Sequence, residues 1–152
     1  MKLSEHFTLA ELTHSDWAVR QGIDNSAPEH VVANLTRLAQ RLETVRTVLG
    51  CPVYVSSGYR SPLVNKGVGG ARTSDHQLGF AADIRAPAYG TPLEVARRIV
   101  KAGILFKQLI HEAPGVGGWV HFAIEPEGDK PARDILTAHF GNGPVTYTRG
   151  LQ

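Results

Sequence analysis

The 152-residue sequence has a single cysteine, Cys51, which excludes both an intramolecular disulfide framework and a cysteine-rich zinc site. Gly50 and Pro52 flank it, the setting of a buried link into a strand rather than of a stabilised thiolate nucleophile. No apolar run approaches the ~20 residues that span a bilayer, so no integral membrane segment is expected. The start, Met1-Lys2-Leu3-Ser4-Glu5-His6, lacks the apolar region of a signal peptide, and the expectation is cytoplasmic synthesis with no export route of the chain's own. Sixteen basic and 14 acidic residues leave a net charge of +2, scattered along the chain. Without a basic stripe no nucleic-acid partner is expected, only a weak attraction to anionic polymers. Repeats, low-complexity tracts and linkers are also missing. At 42% hydrophobic and 20% charged residues, the composition is that of a soluble folded chain. One monomeric domain over 1–152 is expected, long enough to bury about 70% of its unfolded surface.

Periodicity then supplies the elements. Thr8-x-x-Glu11 has the form of a capping box and opens a short helix from Leu9 to Thr13. Ser15 to Asn25 reads as loop with a turn or two. Ser26-x-x-Glu29 repeats the capping signal before Val31, Leu35, Leu38, Leu42, Val45 and Leu49, the apolar stripe of a long helix closed by Gly50. Val53, Val55 and Ser57 alternate with Tyr54 and Ser56 as a strand that enters a glycine-rich loop reaching Thr73. Phe80 to Ala86 is a second strand. Thr91-Pro92-x-Glu94 caps a helix ended by Gly103, and Phe106 to Glu112 with Trp119 to Ile124 form a hairpin centred on Gly115-Val116. Pro131 to Ala138 reads as a helical turn or two. The order predicts an α+β fold, a small mainly antiparallel sheet packed against a long amphipathic helix and shorter ones.

Chemistry concentrates between Gly58 and His121. Of seven histidines, His6, His14, His30 and His139 sit in polar contexts at element ends. In Ser74-Asp75-His76-Gln77-Leu78-Gly79-Phe80-Ala81-Ala82-Asp83, by contrast, a histidine leaves a loop and an aspartate follows seven residues later inside a strand. Phe80, Ala82 and Ile84 share one face of that strand, so Asp83 points to the other, and if buried it needs a partner. Taken alone, Asp83 is equally an exposed residue or a salt-bridge partner of Arg85 or Arg72. His121, on a face with Trp119 and Ala123, is equally a core histidine. Two histidines and one carboxylate on rigid elements do form the open three-ligand set of a catalytic zinc, although spacing alone does not make them converge.

Ser74-x-His76-x-x-Gly79-x-Ala81-x-Asp83 followed by Trp119-Val120-His121 resembles the signature of the zinc D-Ala-D-Ala carboxypeptidases. That family also holds vancomycin-resistance D,D-dipeptidases and phage L-alanyl-D-glutamate endolysins, and is related to the Hedgehog zinc fold. Ser57-Gly58-Tyr59-Arg60-Ser61-Pro62 and Asn65-x-x-Val68-Gly69-Gly70 resemble the segment that precedes the first zinc histidine there. Phe7-Thr8-Leu9-Ala10-Glu11-Leu12-Thr13, with Ser15 following, is similar to the short subgroup common in phages and prophages. The resemblance implies a Zn2+ cofactor on His76, Asp83 and His121. It makes Arg60, which by itself also reads as a loop anchor bonded to backbone carbonyls, the group that holds a substrate carbonyl or carboxylate, and places Ser74 and Trp119 at the substrate.

Relatives carry a general base before the last zinc histidine, and Glu112 is the carboxylate at that place. In a symmetric hairpin it lies opposite Trp119 and diagonal to His121, with His111 on the other face. Glu125, beyond His121, is the competitor. The implied activity is hydrolysis of peptidoglycan stem peptides or crossbridges by a phage or prophage endolysin that reaches the wall through a holin-made pore. A housekeeping D,D-carboxypeptidase and a non-catalytic zinc-stabilised wall-binding domain are the alternatives.

Overall fold

The computed structural model describes residues 1–115 and 117–152; Val116, on which the expected hairpin turn is centred, lies outside them. Twelve elements follow one another: α1 (Leu9–Thr13), α2 (Asp16–Gln21), α3 (Glu29–Leu49), β1 (Tyr54–Ser57), α4 (Pro62–Gly67), a 3₁₀ turn (Asp75–Leu78), β2 (Ala81–Arg85), α5 (Pro92–Lys101), β3 (Gln108–Glu112), β4 (Trp119–Ala123), β5 (Asp134–His139) and β6 (Thr146–Arg149). The strands form one sheet in the order β1-β2-β4-β3-β5-β6, antiparallel except where β3 meets β5. The expected α+β architecture is therefore present. Among the described residues no helix is long and apolar enough to cross a membrane.

Helix α3 forms where its periodicity places it. Val31, Leu35, Leu38, Leu42 and Val45 are buried against one face of the sheet, each contributing about 1.5–3 kcal/mol. Gly50 ends the helix in the left-handed conformation at φ 68°. Ala82 and Ile84 of β2, Leu109 of β3, and Val120 and Phe122 of β4 complete this core, together with Val95 and Ile99 of α5. Because side chains alternate along a strand, burying these residues turns Asp83, His121 and Glu112 to the opposite face. The capping boxes at Thr8/Glu11 and Thr91/Glu94 are both closed.

Four readings need correction. Ser26 does not cap α3: its hydroxyl and N–H bond Asp24, and Pro28 stands at the N-cap. The turn or two expected in residues 15–25 is present as α2, capped by Ser15 and closed by Gly22, and stands uncorrected. The glycine-rich loop holds α4, with the Ser61 hydroxyl accepting the Val64 N–H and Pro62 in its first turn. The tail is not helical. Arg133 adopts φ 51°, which interrupts any helix, and Asp134–His139 instead pairs with β3, a partner more than twenty residues upstream that local pattern cannot reveal. Cys51 is half-buried rather than buried.

Glu125 also belongs to the scaffold. It is 6% exposed and ion-paired with Arg41 of α3 at 2.8 Å, while Arg37 donates to its backbone carbonyl. Burial pushes its carboxyl up, but the Arg41 hydrogen bond and the two guanidinium charges outweigh this and hold it below the usual range. A depressed folded value contributes stability at pH above the ordinary 4.5 that is lost as pH falls through the lower folded value. Glu125→Gln is expected to lower stability by about 1–2 kcal/mol at neutral pH, with a smaller gap at pH 3, while metal content stays unchanged. Denaturant melts at the two pH values check it, and equal stability at neutral pH would deny the ion pair its role.

Candidate metal centre

Three side chains from separate segments meet on the exposed side of the sheet. Asp83 of β2 and His121 of β4 are direct cross-strand partners, and His76 leans in from the 3₁₀ turn. Asp83 Oδ1 lies 3.3 Å from His76 Nε2 and 3.2 Å from His121 Nδ1. All three residues are buried, and one ligand atom from each lies within 4.8 Å of the others.

The position of His76 is built locally. The Ser74 hydroxyl accepts its N–H at 3.2 Å, and Gly79 at φ 78° ends the turn. Lys107 pairs with the neighbouring Asp75 at 2.9 Å. The ring Nδ1 donates to the Gly58 carbonyl at 2.7 Å, which fixes the proton on Nδ1. Gly58 is held in turn against α1: Tyr59 N–H bonds the Leu12 carbonyl at 2.7 Å, and a Cβ on Gly58 would collide with that same carbonyl oxygen.

This arrangement tests whether a cation fits. With its proton on Nδ1, a neutral His76 turns the Nε2 lone pair toward a carboxylate oxygen. Two lone pairs facing each other at 3.3 Å in a buried site repel unless a positive centre lies between them. A tetrahedral ion with ligand bonds of about 2.0–2.1 Å separates its donor atoms by about 3.3 Å, which agrees with both distances to Asp83 Oδ1. Burial pushes Asp83 upward, but the imidazoles outweigh it and hold the carboxyl well below its ordinary range. Burial lowers His121 and the adjacent Asp83 raises it, with a net rise.

A cleft of about 530 Å³ opens over these groups. Arg60 lies on one side. Its Nε donates to Ser57 Oγ at 3.1 Å, Nη1 to Asn65 Oδ1 at 3.3 Å and Nη2 to Asp83 Oδ2 at 3.4 Å. It is thus the salt-bridge partner of Asp83, in place of Arg85 or Arg72. Arg85 instead donates to the carbonyls of Gly117 and Gly118. Three of the five guanidinium N–H groups are engaged, leaving donors for a ligand.

Glu112 of β3 faces Trp119 across the hairpin, as the symmetric pairing expects, and its Oε1 is 3.9 Å from His121 Nδ1. Burial first, and the Asp83 charge second, push its carboxyl up to about 7. His111 lies on the helix side and bonds the Gln152 carbonyl. Trp119 lines the cleft. Its indole N–H favours the charged form of Glu112 but stays outside hydrogen-bond geometry, and it has no partner among the described residues. Ser74 lines the cleft too, although its hydroxyl is already committed to His76.

Two residues have positioning roles that the sequence reading did not assign, although Asn65 opens the Asn65-x-x-Val68-Gly69-Gly70 motif. Asn65, 3% exposed, accepts from Arg60 and donates to the Ala71 carbonyl. Asn25 ties the same loop to α1 by donating to the carbonyls of Thr13 and Tyr59 and accepting from Ser61 N–H. A lone asparagine in a polar stretch carries no periodic signal, so neither role was readable. The cleft also takes Gln108, Ile110, Phe140, Val145 and Tyr147 as walls.

Comparison with known proteins agrees with this geometry. A zinc D-Ala-D-Ala carboxypeptidase of Streptomyces albus G is 38% identical over 88 residues, covering 56% of this chain and 33% of that protein. The aligned chain thus spans about a third of that relative's length. The sequence model of peptidase M15 matches residues 5–123, which include every candidate ligand, Arg60 and Glu112. On that match the chain belongs to the M15 family of peptidases.

Proposed function

We infer that the protein is a zinc peptidase acting on the stem peptides or crossbridges of bacterial peptidoglycan, with residues 1–152 forming a single catalytic domain. The observation that carries this reading is the convergence of His76, Asp83 and His121 with Glu112 and Arg60 in one cleft. His76, Asp83 and His121 would hold the ion. Bound there, zinc supplies Lewis-acid polarisation of a carbonyl and acidification of a water.

The chain's own residues do the rest. Glu112 accepts the proton of the attacking water and returns it to the leaving amine, a task suited to a carboxyl pushed up to about 7. Arg60, anchored by Ser57 and Asn65, presents a fixed positive charge where negative charge develops on the substrate, or grips a terminal carboxylate with its planar fork. The Trp119 indole N–H, buried with no partner among the described residues, offers a donor to a substrate carbonyl; leaving that bond unmade costs about 1–3 kcal/mol. Ser74 acts through His76, which its hydroxyl positions. A zinc-stabilised domain that only binds the wall requires neither Glu112 nor Arg60 in the cleft.

The setting we propose is a phage or prophage endolysin released through a holin-made pore, supported by the resemblance of residues 7–15 to the short phage-type members. Digestion of purified peptidoglycan followed by mass spectrometry of the muropeptides tests the reading and names the bond. One class of peptide bond should be cut, the cutting should stop with chelator, and it should return with added zinc. An undigested wall, or digestion indifferent to chelator, would overturn it.

A further inference from the structure

The tail beyond residue 123 lies outside the stretch that the family model matches, yet it builds part of the cleft. Strand β5 pairs with β3 and β6 with β5, so Trp119, Glu112, Ala138 and Tyr147 stand in one row across four strands, on the metal-site face. Ala138 carries the smallest side chain of the row and is fully buried, so Glu112 and Tyr147 are the members of the row beside it that line the cleft. The segment after β5 folds back toward β4, where the Phe140 ring meets Trp119 edge-on with centroids 5.8 Å apart. Phe140, Val145 and Tyr147 are 47%, 41% and 57% exposed, although the core buries its own aromatic and aliphatic side chains almost completely. Large apolar groups left open around a polar cleft mark a contact surface for a ligand. Tyr147 also lies close enough to feel Glu112: burial first, and the Glu112 charge second, raise its phenol.

Arg60 and this hairpin occupy opposite sides of the metal site across the sheet. Arg60 follows β1 and touches Asp83 of β2, whereas β6 is three strands beyond β4, about 14 Å at the ordinary strand spacing. An extended peptide covers about 3.3 Å per residue. With the C-terminal side of the scissile bond at Arg60, one residue on the acyl side falls short of the hairpin, while four, covering about 13 Å, come within side-chain reach of it. We propose that the β5–β6 hairpin is the specificity element of the cleft, with Phe140, Val145 and Tyr147 contacting the acyl-side residues of a peptide substrate at least four residues long on that side. This rests on the peptidase reading above and extends it.

The test uses zinc-loaded protein carrying Glu112→Gln, so that peptides bind without turnover. Calorimetric titration compares a five-residue stem peptide ending in D-Ala-D-Ala with the acetylated D-Ala-D-Ala dipeptide. The longer peptide should bind about tenfold or more tightly. Adding Phe140→Ala or Tyr147→Ala should bring that preference near unity, with the melting temperature showing that each exposed substitution leaves the fold intact. An undiminished preference in both variants, no preference in the parent, or no binding of either peptide would overturn the proposal. The peptidase reading is judged separately, by turnover with Glu112 present: a hairpin-dependent preference in a protein that hydrolyses nothing would sink the activity and keep the hairpin's role.

Discussion

His76→Ala protein, purified without chelator, is expected to contain almost no zinc where the parent contains one ion per chain. Its hydrolysis of peptidoglycan should fall to background. The large effect follows from the smallness of the ligand set. Removing one of three donors leaves Asp83 and His121, and among the described residues no other side chain joins that cluster, Glu112 standing 3.9 Å from His121. The substitution also frees the Gly58 carbonyl, which loses a 2.7 Å hydrogen bond, at a cost of about 1–3 kcal/mol. Circular dichroism therefore accompanies the metal analysis, to separate loss of the ion from loss of the fold. Asp83→Asn, which keeps volume and removes charge, should lose zinc in the same way. Full zinc in both variants would remove these residues from the site.

Glu112→Gln is the complementary result: zinc retained, hydrolysis reduced by about 10²-fold or more. Glutamine preserves length and shape but cannot accept a proton. Glu112 sits 3.9 Å from His121, near the metal site, but takes no part in the convergence of donor atoms on Asp83 Oδ1. The pH profile supplies an independent reading. A base must be ionised, and burial followed by the Asp83 charge pushes the Glu112 carboxyl up to about 7. A bound cation favours ionisation, so the wild-type rate should climb with pH on the acid side of neutrality and level above it. Its apparent constants belong to the coupled site rather than to Glu112 alone. Normal turnover in Glu112→Gln would transfer the base elsewhere. Glu125 is a poor heir, since its carboxylate is spent on Arg41 on the helical side of the sheet.

Some of this was legible in the chain, because certain signals are local. The 4,3,4,3,4 spacing of apolar residues from Val31 to Leu49 dictates a helix with one buried stripe, and Gly50 its end. The alternation in 80–86 and 119–124 decides which face of each strand enters the core, and so sends Asp83 and His121 to the same opposite face. The residue types of His76, Asp83 and His121 suit a borderline metal with nitrogen and oxygen ligands, although taken singly they suit a salt bridge or a core histidine as well.

Tertiary structure decided what depends on pairing between distant segments. That Asp83 and His121 are opposite one another, 38 residues apart, follows from the register of β2 on β4 and from no local pattern. The same holds for Arg60: the sequence left it free to anchor a loop or bind a ligand, and the fold gave it Ser57, Asn65 and Asp83 as partners. The tail shows the limit most clearly. Its six-residue β5 reads weakly alone, because its burial does not alternate residue by residue, and only docking beside β3 makes it a strand. Composition, period and residue chemistry are properties of short stretches, and the sequence by itself determined those. Which chemistry-bearing side chains meet is a property of register and packing across the sheet, and that was settled only when the chain folded.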